Sequence, residues 1–281
     1  MQAVKATAEL SDLIDGWRAF SERIAFVPTM GNLHAGHLSL VRHAGTIADR
    51  VVVSIFVNPT QFNDPNDFKR YPNTLEEDSR QLAETGCDLV FVPAEETVYP
   101  FGRDNAVLVD EPVISQGLCG AFRPGHFRGV TTVVCRLFNL VRPDIAVFGQ
   151  KDLQQLRVIE RMVADLHMPV VIEGMPTIRE PDGLAMSSRN GRLAADERHQ
   201  AAVLYRIICE VRDQVSSGRK EYEAIETEAM QALDHAGFRS EYVAIRCWDD
   251  LSAPVSGRPL VVLAAAWLGE TRLIDNLPLS T

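Results

Sequence analysis

Apolar residues in the first half of the chain fall into short, nearly continuous runs. Residues 24–28 (IAFVP), 51–57 (VVVSIFV), 89–93 (LVFVP), 145–149 (IAVFG) and 170–174 (VVIEG) are rich in β-branched and aromatic side chains. Runs of that length and make-up predict buried strands. Between the first two, Leu38, Val41, Ala44, Ile47 and Ala48 recur along one helical face, which predicts a helix over about 36–48. Residues 74–85 and 151–165 predict further helices, and residues 1–17 read as a strand and the start of a helix. Helix and strand in alternation predict right-handed βαβ units and a parallel sheet. In such a sheet, ligands bind beyond the carboxyl ends of the strands.

The texture changes near residue 176. A polar loop, PTIREPDGLAMSSRN (176–190), precedes two long helical patterns near 195–216 and 220–236. Asp196 and Glu197 suit the positive end of the first. Strand patterns follow at 241–247, 259–267 and 271–275. The expected division is an α/β catalytic domain over 1–175 and a smaller α+β domain over 176–281 that carries the polar loop. No internal repeat and no low-complexity tract interrupts this plan.

Composition narrows the function classes. Of 281 residues, 46% are hydrophobic and 23% charged, which is globular rather than disordered composition. The formal net charge is -10, and no basic face or stripe of the kind that binds nucleic acid is visible. The longest apolar run, LVVLAAAWL (260–268), is far too short to span a membrane, and no signal-peptide pattern opens the chain. Cys87, Cys119, Cys135, Cys209 and Cys247 are scattered and odd in number, without metal-ligand spacing. They read as free thiols, which points to a cytoplasmic protein.

Candidate chemistry gathers in four segments at predicted strand ends or in loops. Met30-Gly31-Asn32-Leu33-His34-Ala35-Gly36-His37 follows a strand and opens a helix. Gly31 permits a tight turn, and the helix start offers free N–H groups to phosphate. His34 and His37 share one side of that helix and could donate to phosphate oxygens as charge moves onto a leaving group. A surface histidine pair or half of a metal site has the same spacing. Asn58-Pro59-Thr60-Gln61 places amides near the same sheet edge, suited to a hydroxy acid, although from this segment alone a capped turn is the better reading. Gly149-Gln150-Lys151-Asp152 follows a further strand, where Lys151 offers a point charge to phosphate and Asp152 either caps a helix or holds a ribose hydroxyl. Met186-Ser187-Ser188-Arg189 combines two hydroxyls with a guanidinium, a natural phosphate grip on a loop able to close and exclude water. Neither GxxxxGK[ST] nor GxGxxG is present. Together the four suit adenylyl transfer, in which a carboxylate attacks the α-phosphorus of ATP and pyrophosphate leaves.

The ordered blocks PTMGNLHAGHLSLV, SIFVNPTQF, RYPNTLEED, RPGHFRGVTTVV, LFNLVRPDIAVFGQKDLQQL and PTIREPDGLAMSSRN, spread over about 24–193, closely resemble the pantothenate synthetase (pantoate–β-alanine ligase) family. That resemblance implies a Rossmann-like N-terminal domain of the HxGH nucleotidyltransferase superfamily, a smaller C-terminal lid and a homodimer. It implies condensation of pantoate with β-alanine through pantoyl adenylate, with Mg²⁺-ATP as cosubstrate. Carried over by matching position, residues 30–37, 149–152, Ile178 and 186–189 contact ATP, and His37 matches the position usually called the proton donor; His34, His37 and Lys151 are here expected to act as stabilisers of phosphate charge. Gln61 and Gln155 hold pantoate, Gln61 also lying near β-alanine. Asn58, Tyr71, Arg123 and His126 match other active-site positions, and Glu77, Asp78 and Gln81 match a metal or dimer-contact site. The chain departs from the family pattern at Gln150, where Glu is common, at Arg136, where Lys is common, and at Asn73, where Arg is usual. The rival readings are another HxGH nucleotidyltransferase acting on a small metabolite, a tRNA-synthetase-like fragment, and a non-catalytic nucleotide-binding regulator.

Overall fold

The computed structural model describes residues 1–279. Six strands form one parallel sheet: β1 (Gln2–Val4), β2 (Ile24–Thr29), β3 (Arg50–Ile55), β4 (Leu89–Phe91), β5 (Ile145–Gly149) and β6 (Val171–Met175). Their order is β1-β4-β3-β2-β5-β6, and every pairing is parallel. From β2 the chain winds outward to β3 and β4, then returns to β5 on the other side of β2. The gap between β2 and β5 is therefore the switch point where a doubly wound sheet opens a crevice.

Alternation along the strands fills two cores. Ile24, Phe26, Val52, Phe91, Ala146 and Phe148 face one side, where they meet α1 (Thr7–Ala19), α7 (His126–Val141) and α8 (Leu153–Asp165). Ala25, Val27, Val51, Val53 and Val147 face the other, against α2 (Ala35–Ile47) and α4 (Leu75–Thr85). Strands covered on both faces must be apolar at every position, which is why they read as continuous runs. Val171 is an exception, since β6 is an edge strand and that side chain is exposed rather than buried.

The second sheet is antiparallel, with order β7 (Arg239–Cys247), β8 (Leu260–Leu268), β9 (Thr271–Leu279). It packs against α10 (Val203–Ser216) and α11 (Tyr222–His235). The single helical pattern expected over 195–216 is divided at Ala202 into α9 (Ala195–Ala201) and α10. β8 serves both halves of the molecule. Its Val262, Ala264 and Ala266 join the core with α10 and α11, while Val261 and Leu263 join the core with α7 and α8.

Short helices complete the chain at α3 (Pro65–Lys69), α5 (Glu95–Val98) and α6 (Cys119–Phe122). The sequence pattern did not predict α7. Its VTTVV run reads as a strand by composition, and that β-branched stretch masks an apolar face that the helix does carry.

Candidate functional site

The HAGH segment is shaped by the turn that leads into it. Gly31 and Asn32 both take positive φ, +78° and +51°. Glycine accepts this freely, whereas Asn32 must be held there. Asp78, buried near the start of α4, supplies the hold. Its carboxylate accepts from the backbone N–H of Asn32 at 2.9 Å and of Leu33 at 2.8 Å, and from the Thr74 hydroxyl at 3.0 Å. Asp78 thus faces the turn while Glu77 faces outward to Arg80 and Gln81, so the three matched positions do not converge on one metal.

His34 caps α2. Its Nδ1 accepts from the Gly36 N–H at 3.2 Å, so the neutral ring carries its proton on Nε2. The His34 and His37 rings lie 4.1 Å apart, centroid to centroid. Burial, reinforced by the charge of Lys151, lowers the His34 pKa to about 4. Burial and the neighbouring His34 lower that of His37 to about 3, and His37 Nδ1 is buried without a hydrogen-bond partner. Both imidazoles are therefore neutral near pH 7.

Lys151 lies in the tight turn Gln150–Asp152 that joins β5 to α8, directly across the switch point. It has no ion-pair partner among the described residues. Asp152 opens onto the same cavity. Enclosure would raise its carboxyl pKa, but Lys151 and Arg189, with smaller effects from His126 and Arg123, hold it below the usual carboxylate range.

A cavity of about 240 Å³ joins these groups. Met30, His34, Gly36 and His37 line it together with Gly149, Lys151 and Asp152. Ile178, Met186, Ser187, Ser188 and Arg189 line it too, as do Gln61 and Gln155. Asn58, Tyr71, Arg123 and His126 line it as well. Gly31, Asn32, Leu33, Ala35 and Gln150 stand outside the lining. Gln150 instead donates to the Gly174 carbonyl at 3.0 Å, and Arg136 reaches the Val98 carbonyl at 3.1 Å, so neither departure from the family pattern touches the cavity.

α7, unread in the sequence, supplies the apolar floor through Val130, Val133, Val134 and Leu137. It also seats the amide segment. A Cβ on Gly129 would lie 2.5 Å from the Thr60 carbonyl oxygen, so only glycine lets the helix approach this closely. Asn58 donates to the Gly129 carbonyl at 3.1 Å and to Gln61 Oε1 at 3.1 Å. His126 Nδ1 donates to the Gln61 carbonyl at 2.8 Å, leaving Nε2 to accept from Arg123 at 3.1 Å. Asn58 and Gln61 are thereby fixed from beneath.

The polar loop is folded over the cavity. Asn32 reaches the Ser188 carbonyl at 3.4 Å, and Asp67 on α3 pairs with Arg189 at 3.0 Å and Arg192 at 2.6 Å. Burial alone would raise the Asp67 carboxyl pKa, and the two guanidiniums hold it below its ordinary value.

Comparison with known proteins fits this geometry. The family model for pantoate-beta-alanine ligase matches residues 2–278. The chain belongs to the pantoate-beta-alanine ligase family. Among curated relatives, the pantothenate synthetase of Thioalkalivibrio sulfidiphilus is 53% identical over 99% of this chain and 98% of its own. That of Stutzerimonas stutzeri is 54% identical over 99% and 97%. The crystal structure of pantothenate synthetase from Thermus thermophilus superposes with a TM-score of 0.90 at 44% identity, each chain fully covered. The pantoate-beta-alanine ligase of Francisella tularensis, solved with beta-gamma ATP and beta-alanine, gives a TM-score of 0.85 at 34% identity, covering 100% of this chain and 98% of its own. The similarity to pantoate-beta-alanine ligases thus extends through β7–β9, where the sequence offered few motifs.

Proposed function

We propose that this protein condenses pantoate with β-alanine at the cavity, consuming ATP and releasing AMP and pyrophosphate. In the first step a pantoate carboxylate oxygen attacks the α-phosphorus of ATP, the bond to the pyrophosphate oxygen breaks, and pantoyl adenylate forms. In the second the β-alanine amine attacks the acyl carbon and AMP leaves. The convergence of His34, His37, Lys151 and the 186–189 loop with Gln61 and Gln155 on one cavity carries this reading.

Neutral His34 and His37 donate hydrogen bonds to phosphate oxygens, and Lys151 and Arg189 supply the positive charge that matters as pyrophosphate departs. The hydroxyls of pantoate suit the two glutamine amides, and its dimethyl carbon suits the valine-rich floor. Mg²⁺ enters with ATP as part of the substrate. Closure of the 176–190 loop, and of the smaller C-terminal unit beginning near residue 176, keeps water from the mixed anhydride.

The protein is proposed to act in the cytoplasm, consistent with five free cysteines, and as a homodimer. Phe101 and Val107, 83% and 80% exposed, border one groove and provide an apolar surface for a second copy. Light scattering at the mass of one chain would remove that assignment.

The central test is exchange of labelled pyrophosphate into ATP. It is expected with pantoate and Mg²⁺ but without β-alanine, and pantothenate is expected only after β-alanine is added. His37→Ala and Lys151→Ala are each expected to slow exchange by about a hundredfold or more. Exchange that ignores pantoate would overturn the reading.

A further inference from the structure

Two polar residues sit next to each other in β9, and both are buried. Asp275 is 3% exposed and Asn276 4%. Neighbours on a strand face opposite sides of the sheet, so each must find partners in a different layer. Both do, and the partners belong to the nucleotide side of the cavity.

The Asn276 amide nitrogen donates to the Gln150 carbonyl at 2.7 Å and to the Lys151 carbonyl at 2.9 Å. One side chain from the second sheet thus fastens two successive carbonyls of the turn that presents Lys151. The turn is a single 3-10 helix of three residues, too short to fix its own path, and this amide ties it to the second sheet. Asp275 accepts from both terminal nitrogens of Arg179, at 2.6 and 2.9 Å, and Arg179 in turn donates to the Gly183 carbonyl at 3.0 Å. Arg179 also pairs through a β-bridge with Ala185, and the Met186 N–H donates to the Ile178 carbonyl at 2.9 Å. The neighbouring residue therefore fixes the root of the loop that brings Met186 to Arg189 over the cavity.

We propose that Asn276 is a positioning residue for adenylate formation, acting through the Gln150 and Lys151 carbonyls to set where the Lys151 ammonium meets phosphate. The inference rests on the reading of Lys151 as a phosphate contact. Asn276 itself is not among the residues that line the main cavity. Its action is confined to the first half-reaction, because the charge that Lys151 stabilises is the charge that leaves with pyrophosphate.

The test compares both half-reactions in the intact protein, Asn276→Ala, Asn276→Ser, Lys151→Ala and the Asn276→Ala/Lys151→Ala double variant. Asn276→Ala is expected to slow pantoate-dependent pyrophosphate exchange about tenfold, while conversion of supplied pantoyl adenylate and β-alanine changes less than about threefold. Asn276→Ser, which keeps a donor, falls less, and it carries the same comparison should the alanine variant fail to fold. In the Lys151→Ala background, Asn276→Ala is expected to cost nothing further, within about twofold, because its effect is already lost. Equal losses in both half-reactions would show a general structural role and overturn the proposal. So would a full tenfold loss on top of Lys151→Ala, or no loss at all. If Lys151→Ala alone leaves exchange intact, the reading of Lys151 fails and takes this inference with it.

Discussion

Removing the Asp78 carboxylate is expected to cost both stability and adenylation. The side chain is 2% exposed and satisfies three donors, two of them backbone N–H groups in a turn of left-handed conformation. Asp78→Ala leaves those donors without a partner where water enters poorly. At about 1–3 kcal/mol for each orphaned buried donor, with the hydroxyl free to rotate away, the expected loss is about 3–5 kcal/mol. Asp78→Asn keeps the volume and one acceptor but turns an NH₂ toward an N–H, so about 2–3 kcal/mol is expected. For a chain of this size the alanine variant should then melt about 6–10 °C lower. The catalytic loss is expected to be the larger effect. His34 and His37 follow the turn directly, and a displacement of about 1 Å at reacting groups costs about a hundredfold in rate. Urea unfolding and pyrophosphate exchange on the same preparations measure the two effects. Glu77→Gln, on the outer face of the same helix, serves as the control and should leave midpoint and rate unchanged. Were Asp78→Ala to match the parent protein in both assays, the assignment of Asp78 to the turn would be wrong.

Two further outcomes follow from the site. His34, His37 and His126 have folded pKa values of about 4, 3 and 3 against an ordinary 6.5, so the unfolded chain binds more protons below neutrality. Their contribution to stability is full above pH 6.5 and fades as pH falls toward about 4, so melting temperature should drop across that window; a flat profile would show that the rings are not held neutral. Gly129→Ala should raise the KM for pantoate with a smaller change in the KM for ATP, because the added methyl group pushes α7 from the Thr60–Gln61 backbone; equal changes in both constants would contradict this.

The sequence disclosed what depends on local pattern. Strands buried on both faces were legible because nearly all their central residues are apolar, and the glycine turns and strand-end histidines and lysine were legible because the parallel-sheet topology places them at one edge. α7 was hidden by its β-branched run, and with it went the cavity floor and the Gly129 approach. Asp78 and Asn276 were hidden for a different reason. Each acts on backbone groups distant in sequence, 45 or 46 residues away for Asp78 and 125 or 126 for Asn276. Neither spacing nor composition announces such a partner. The resemblance did pick out Asp78, but as a metal or dimer contact rather than as the anchor of the HAGH turn.

The electrostatics of the cavity explain why two neutral histidines suit the chemistry better than two charged ones. The protein carries a net charge of -10, so it must gather positive charge locally to hold a triphosphate. It does so at some strain. Burial, then repulsion from Arg189 and Arg272, already lowers the Arg123 pKa to about 10, and Asp152 is the sole carboxylate among the residues lining the cavity. Two imidazolium ions in the same wall would add to that repulsion in the ATP-free protein. As neutral rings, His34 and His37 keep their N–H donors and add no charge, so on the proposed function the cations remain bearable until substrate phosphates neutralise them. The same balance makes ATP an electrostatic ligand of the folded state. It relieves repulsion that the empty cavity retains, and its stabilising effect should weaken as salt screens both.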